Sequence, residues 1–116
     1  MWKYQEEHAL EERVRECEKI RRFWPDKIPI ILEKQESSKL LDVPKAKLLC
    51  PKSYSFSQFQ MCLRMKIKLD KNDSLFIFLG KSNLVTGDKE MKAIYEENKD
   101  PDGFLYLSYC EHQSLG

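Results

Sequence analysis

The residues best suited to chemistry in this chain of 116 residues are four cysteines and two histidines. The cysteines are far apart, at positions 17, 50, 62 and 110, and none lies in the C-x-x-C pattern that is typical of zinc sites and redox enzymes. Cys110 and His112 lie two residues apart, but a Cys/His pair without an oxyanion-binding glycine loop is usually accidental. We therefore expect free thiols, no metal ion, no cofactor and no enzymatic activity.

Composition and charge indicate a single globular domain. Hydrophobic residues make up 41% of the chain and aromatic residues 11%, which is more apolar material than a disordered chain carries. The net charge is +1, but residues 27–72 contain ten basic and four acidic side chains. Such a basic middle third can attract an acidic peptide or a membrane surface, whereas the overall charge gives no reason to expect nucleic acid binding.

No targeting or membrane-spanning pattern is present in the sequence. There is no run of 18 apolar residues, and the first residues lack the apolar region of a signal peptide. We therefore expect a protein of the cytosol or the nucleus.

The first quarter of the chain has the pattern of an amphipathic helix. Apolar residues recur every three or four positions from Leu10 to Phe23, and oppositely charged residues four positions apart can pair on the exposed face. Pro25 ends this helix, because the residue before a proline disfavours helical backbone. With a shorter helix at residues 3–8, residues 1–26 are predicted to form a helical extension.

The rest of the chain alternates between strands and helices. Short apolar runs predict strands at residues 27–34, 46–50, 74–79 and 104–109, of which the first two form an antiparallel hairpin.

Two helices are predicted among these strands. Ser55 and Gln58 form a capping box at the start of a central helix over residues 54–68. Asp88 is expected to cap a shorter helix that ends near Asn98.

This order of elements is ββαβαβ, with one long helix across the sheet. It is the α+β arrangement of the ubiquitin-like β-grasp, preceded here by two additional N-terminal helices. We predict a β-grasp core over residues 27–110 and a flexible C-terminal tail over residues 111–116.

One segment carries a resemblance to a known family. The string E-K-I-R-R-F-W-P-D-K-I-P-I-I-L-E-K at residues 18–34 closely resembles a segment of the autophagy ubiquitin-like modifiers, the GABARAP and light-chain family. Further matches are K-L-L-C-P at 47–51, S-Q-F at 57–59, D-G-F-L-Y-L-S-Y at 102–109 and the terminal glycine. Because these matches span almost the whole chain, it is identified as a member of that family.

The resemblance implies a modifier that is joined to phosphatidylethanolamine through Gly116. The glycine would be activated by an E1-like enzyme, transferred by an E2-like enzyme and placed on autophagosomal membranes, with a cysteine protease as a further partner. A residue without Cβ lets narrow enzyme active sites close around the carboxylate. The protein would be cytoplasmic and monomeric in solution until lipidation places it on the autophagosome membrane.

The resemblance also implies a groove for acidic aromatic-x-x-aliphatic peptides of autophagy receptors and adaptors. The peptide would add a strand to the edge at residues 46–50. The aromatic pocket would be lined by Glu16, Ile20, Pro29, Ile31, Lys47, Leu49 and Phe104. The aliphatic pocket would be lined by Leu48, Cys50, Pro51, Tyr54, Phe59, Cys62 and Leu63. The acidic flank of the peptide would contact Lys45, Lys47 and Lys66.

The residues alone leave other readings open. Without the resemblance, the apolar stripes that contain Ile20, Ile31, Phe59 and Leu63 are more typical of an ordinary core. Strand lysines such as Lys47 also protect a sheet edge from aggregation.

The chain departs from the family pattern within the groove and near its end. Leu48 stands where the family usually has an aromatic residue, and Lys66 replaces an arginine, which removes bidentate recognition of carboxylates. The other departures are Cys50, Tyr54, Cys62, Leu115 and a slightly longer loop at residues 80–83. These differences concern the shape of the aliphatic pocket and the choice of conjugation enzymes.

An alternative function is a soluble adaptor that is not conjugated and serves membrane trafficking or microtubule binding. Basic side chains on the long N-terminal helix could contact acidic tubulin tails, although interleaved glutamates also fit a solvated face. These basic residues are Arg13, Arg15, Lys19, Arg21 and Arg22.

Overall fold

The computed structural model describes residues 2–112, which form one mixed sheet with helices on both faces. Its elements are α1 (Lys3–Glu7), α2 (Leu10–Phe23), β1 (Lys27–Lys34), β2 (Lys47–Pro51), α3 (Phe56–Lys66), β3 (Phe76–Leu79), β4 (Asn83–Leu84), α4 (Met91–Asn98) and β5 (Leu105–Cys110). The strand order is β2-β1-β5-β3-β4, in which only β1 and β5 are parallel. The predicted β-grasp with two additional N-terminal helices is confirmed, while the division of the chain at residues 26 and 110 stays a prediction.

Two local predictions were wrong. The two-residue strand β4 begins at Asn83, within the predicted loop at residues 80–83, and two residues are too few to show a periodic pattern. Asp88 does not cap α4, which has Glu90 at its N-cap position. The Asp88 carboxylate instead accepts a hydrogen bond from the backbone N–H of Ser57 at 2.9 Å, in the first turn of α3. The capping box at the start of α3 is present as predicted.

Pro29 is tolerated in β1 although this strand has neighbours on both sides. The backbone N–H of Leu32 points towards β2, where it donates to the carbonyl of Ala46. Because strand residues alternate in direction, the Pro29 nitrogen faces the β5 side. Pairing with β5 begins only at Ile30, opposite Leu105, so no sheet hydrogen bond is lost.

The sheet separates two apolar cores. Ile28, Ile30 and Leu32 of β1 belong to the larger core, which includes the buried face of α3. Ile31 points to the other face and joins Phe104 in a smaller core beneath the N-terminal helices. The continuous apolar run of β1 is explained by burial on both faces of the sheet.

A buried ion pair attaches the N-terminal helices to the sheet. The Arg13 Nε atom on α2 donates to the carboxylate of Asp102 at 2.9 Å, and the Asp102 side chain is fully buried. The same guanidinium donates to the backbone carbonyl of His8 at 2.7 Å, next to the end of α1. Asp102 also accepts hydrogen bonds from the Tyr106 hydroxyl and the Phe104 backbone N–H.

No helix within residues 2–112 combines the length and the apolar character that crossing a bilayer requires. Over the same range, no group of three or more His, Cys, Asp or Glu side chains is arranged to hold a metal ion.

Candidate functional site

Strand β2 forms one edge of the sheet, with β1 on one side and no strand of residues 2–112 on the other. Its side chains alternate between the two faces. Lys47 and Leu49 are exposed, whereas Leu48 is half-buried and Cys50 is buried. An edge of this kind presents unpaired backbone N–H and C=O groups that can pair with an extended peptide.

A cavity of about 330 Å³ lies between β2 and α3. The helix contributes Phe59, Cys62, Leu63 and Lys66, whose spacing of three and four residues places them on one face. The structure brings all seven residues of the predicted aliphatic pocket to this cavity, namely Leu48, Cys50, Pro51, Tyr54, Phe59, Cys62 and Leu63. Lys47, Leu49 and Lys66 complete the lining, although the sequence analysis assigned them to other parts of the groove.

The polar groups in this cavity are thiols, one phenol and the lysines at its border. Burial raises the pKa of Cys50 to about 12, so its thiol is protonated at neutral pH. Charge interaction with the neighbouring Cys62 thiol raises the pKa of Tyr54. The rest of the lining is mainly apolar, which favours an aliphatic side chain as the occupant.

The apolar residues of the predicted aromatic pocket other than Leu49 lie on the other face of the sheet, towards α2. Ile20, Ile31 and Phe104 form part of the smaller core, and Pro29 is also buried. Phe104 and Ile31 are 0% exposed, so solvent does not reach their side chains in this conformation.

An ion pair joins α2 to β2 on this face. Lys47 Nζ lies 2.6 Å from Glu16 Oε1, and both side chains are partly exposed. Leu49 lies beside them on β2 with 40% of its surface exposed. No local pattern predicts this pair, because its partners are 31 positions apart and on different elements.

The three lysines predicted to contact an acidic flank are all exposed. Lys47 is paired with Glu16, but Lys45 and Lys66 make no ion pair with any residue in the range 2–112. Their ammonium groups are therefore available to an acidic ligand along the edge of β2.

The remaining candidates from the sequence lie elsewhere. Cys110 is buried, and its thiol contacts the backbone carbonyl of His112 at 3.0 Å, so this contact does not involve the imidazole ring. On the exposed face of α2, a shallow cavity of about 450 Å³ is lined by Arg15, Glu18, Lys19 and Arg22. Gly116 and Leu115 lie outside the described residues.

Comparisons with known proteins agree with the resemblance noted in the sequence. The sequence profile of the family described as "Autophagy protein Atg8 ubiquitin like" matches residues 12–116. Autophagy-related protein 8d of Arabidopsis thaliana is 42% identical over 113 residues, which cover 97% of this chain and 93% of that protein. Autophagy-related protein 8 of Mycosarcoma maydis is 40% identical over 113 residues, covering 97% and 95% of the two chains. The crystal structure of Trypanosoma brucei ATG8 is similar with a TM-score of 0.91 and 32% identity, covering 100% of this chain and 99% of that one.

Proposed function

Because the chain belongs to the Atg8 family of autophagy ubiquitin-like proteins, we propose that it is a non-enzymatic modifier of autophagosomal membranes. In this proposal Gly116 is conjugated to phosphatidylethanolamine, and the groove along β2 binds acidic aromatic-x-x-aliphatic peptides of autophagy receptors. The observation that carries the peptide-binding part is the free edge of β2 beside an apolar cavity of about 330 Å³.

The spacing of the peptide motif fits the geometry of an edge strand. A peptide that pairs with β2 continues the sheet, so its side chains alternate between the two faces. Residues separated by three positions therefore point to opposite faces. The aliphatic residue would enter the cavity next to α3, while the aromatic residue would lie on the α2 side, near Leu49.

Entry of an aromatic ring on the α2 side requires a local rearrangement. The Glu16 and Lys47 side chains are ion-paired on this side of β2, and the side chains of Ile31 and Phe104 are closed to solvent. A partly exposed ion pair contributes only about 0–1 kcal/mol, so a peptide can displace it at little cost. Lys47 could then pair with an acidic residue of the peptide.

Peptide binding can be tested with the whole protein and a pair of matched variants. Leu48→Glu places a charge in the apolar cavity, whereas Leu41→Glu makes the same change at an exposed position away from it. Loss of one buried leucine contact corresponds to about 1.5–3 kcal/mol, so Leu48→Glu should weaken binding at least about tenfold in calorimetry. Equal affinities for the two variants would contradict the assignment of the groove.

Membership in a family whose profile matches residues 12–116 supports the proposal that Gly116 is conjugated. In the final step the amine of phosphatidylethanolamine attacks a thioester of Gly116, an amide bond forms and the enzyme thiol leaves. Gly116→Ala should therefore remain in the soluble fraction of cells while the unchanged protein becomes membrane-bound. Equal membrane partition of the two proteins would contradict conjugation at this residue.

The basic face of α2 supports a second candidate, an adaptor that is not conjugated and contacts acidic protein tails. Arg15, Lys19 and Arg22 border one shallow cavity, but Glu18 lies among them and reduces its charge. This candidate predicts that Gly116→Ala leaves membrane partition unchanged. It also predicts that Lys19→Glu abolishes co-sedimentation with microtubules.

A further inference from the structure

Two neighbouring aromatic side chains are exposed where α2 ends. Phe23 is 66% exposed and Trp24 is 52% exposed, although aromatic side chains of this size usually bury most of their surface. Neither ring stacks on another aromatic ring within residues 2–112. Much of their apolar surface therefore remains in contact with water, and covering it would be favourable.

Basic side chains lie on the same face of α2 as Phe23. The buried residues of this helix, Cys17 and Ile20, are on its other face. The exposed face follows the i, i+4, i+7, i+8 spacing of a single helix stripe, and its members are Arg15, Lys19, Arg22 and Phe23. The three cations border the shallow cavity of about 450 Å³ described above.

The start of β1 and the end of β2 bring further cations to this end of α2. The backbone N–H of Lys27 donates to the carbonyl of Trp24 at 2.9 Å, so the chain turns tightly after the helix. The backbone N–H of Lys52, which follows β2, donates to the carbonyl of Asp26 at 2.9 Å. Segments that are distant in sequence thus meet beside the two exposed rings.

The resulting area, called here the α2 surface, is positively charged. Its acidic side chains are Glu18 and Asp26, while Glu16 of the same helix is paired with Lys47. Two more glutamates of α2 are in its first turn, at the other end of the helix. The cations of the α2 surface form no ion pair within residues 2–112. The α2 surface consists of Arg15, Lys19, Arg22, Phe23, Trp24, Lys27 and Lys52.

We propose that the α2 surface binds membranes that contain anionic phospholipids, with the rings of Phe23 and Trp24 placed among the headgroups. Aromatic rings are favoured at this depth of a bilayer, and lysine and arginine side chains are attracted to anionic lipids. An acidic protein tail matches the cations but offers no apolar layer to the two rings. A second copy of this chain would bring like charges together. A membrane matches both the charge and the rings.

This binding goes beyond the proposed function, because it requires neither conjugation nor a peptide in the groove. The whole unconjugated protein is therefore sedimented with vesicles of phosphatidylcholine, or with vesicles in which phosphatidylserine replaces about a third of that lipid. Each cation near an anionic surface contributes about fivefold to affinity, so binding to the anionic vesicles should be at least about tenfold tighter. Added salt should weaken it.

Two variants of the α2 surface are compared with matched controls. The double variant Phe23→Ser, Trp24→Ser should bind anionic vesicles at least about tenfold more weakly, and Lys19→Gln about fivefold more weakly. Leu41→Ser and Lys92→Gln change an exposed leucine and an exposed lysine elsewhere on the protein, so their binding should equal that of the unchanged protein. Circular dichroism establishes that each variant is folded.

Tryptophan fluorescence distinguishes insertion of a ring from attraction between charges alone. The chain has two tryptophans, so Trp24 is the only one left in Trp2→Phe. Its emission should shift to shorter wavelengths with the anionic vesicles, because the indole enters a less polar environment. A soluble polyglutamate peptide should cause no such shift.

Three results would overturn the proposal. The first is equal binding to the two kinds of vesicle. The second is a double variant that binds the anionic vesicles as tightly as the unchanged protein. The third is an unshifted emission of Trp24 in protein that sediments with the vesicles, which would mean that the surface recognises charge alone, as a site for acidic protein tails does.

Discussion

Replacing Arg13 by methionine is expected to lower the free energy of unfolding by about 3 kcal/mol. Arg13 donates to the buried Asp102 carboxylate at 2.9 Å and to the His8 carbonyl at 2.7 Å, so one side chain joins α1, α2 and the turn before β5. Methionine keeps much of the apolar stem but removes the charge and every donor.

The magnitude follows from the burial of the two partners. The Asp102 side chain is 0% exposed and that of Arg13 is 12% exposed, so water cannot replace the guanidinium freely. Breaking a buried pair by removing one partner costs about 3–5 kcal/mol. Asp102 keeps hydrogen bonds from Tyr106 and Phe104, which places the expected cost at the lower end, about 3 kcal/mol. For a domain of this size, that loss lowers Tm by about 10 °C.

The assay is chemical denaturation of Arg13→Met, Asp102→Asn and the double variant. Asp102→Asn removes the charge that Arg13→Met leaves unpaired. The stability loss of the double variant should therefore be about 2 kcal/mol smaller than the sum of the two single losses. Arg15→Met is the matched control, because Arg15 is exposed on the same helix, and its stability should change by less than about 0.5 kcal/mol. Additive losses, or a loss below about 1 kcal/mol for Arg13→Met, would refute the reasoning.

Three further predictions follow from individual contacts. Glu16→Gln removes the carboxylate that competes for Lys47, so it should strengthen binding of acidic-flank peptides about two- to fivefold in calorimetry and leave neutral-flank peptides unchanged. Gly103→Ala should lower the free energy of unfolding, measured by denaturant titration, by about 2–4 kcal/mol. Gly103 has a φ of +100°, and an added Cβ would lie 2.9 Å from a side-chain carbon of α2. The Ser57 backbone N–H lowers the pKa of Asp88 in the folded protein. The contact therefore stabilises the fold fully at a pH above the unfolded-state pKa of about 4. This stabilisation is lost as the pH falls through the lower pKa of the folded state. Hydrogen exchange at the start of α3 should increase over that acidic range, and Asp88→Asn should remove this pH dependence.

The elements with repeated local signals could be predicted from the sequence. The capping box of α3 requires only Ser55 and Gln58, and the spacing of apolar residues determines which face of the helix is buried. The β1–β2 hairpin was also predicted correctly, because both strands consist of short apolar runs separated by a polar segment.

Contacts between distant residues could not be predicted in this way. Asp88 is an N-cap candidate by its residue type, but the folded chain brings it to the first turn of α3 instead. The Glu16–Lys47 pair joins a helix to an edge strand, and nothing local in either segment indicates it. The closed state of Ile31 and Phe104 also depends on how α2 packs on the sheet, which no single segment determines.

The intact mass of the protein recovered from membrane fractions of its own cells tests the proposed modifier function most directly, with Gly116→Ala as the control. We predict that the mass of the unchanged protein exceeds that of its sequence by one phosphatidylethanolamine less one water, and that the variant lacks this increase. An unmodified mass in both proteins would contradict conjugation through Gly116 and would leave the adaptor as the better account.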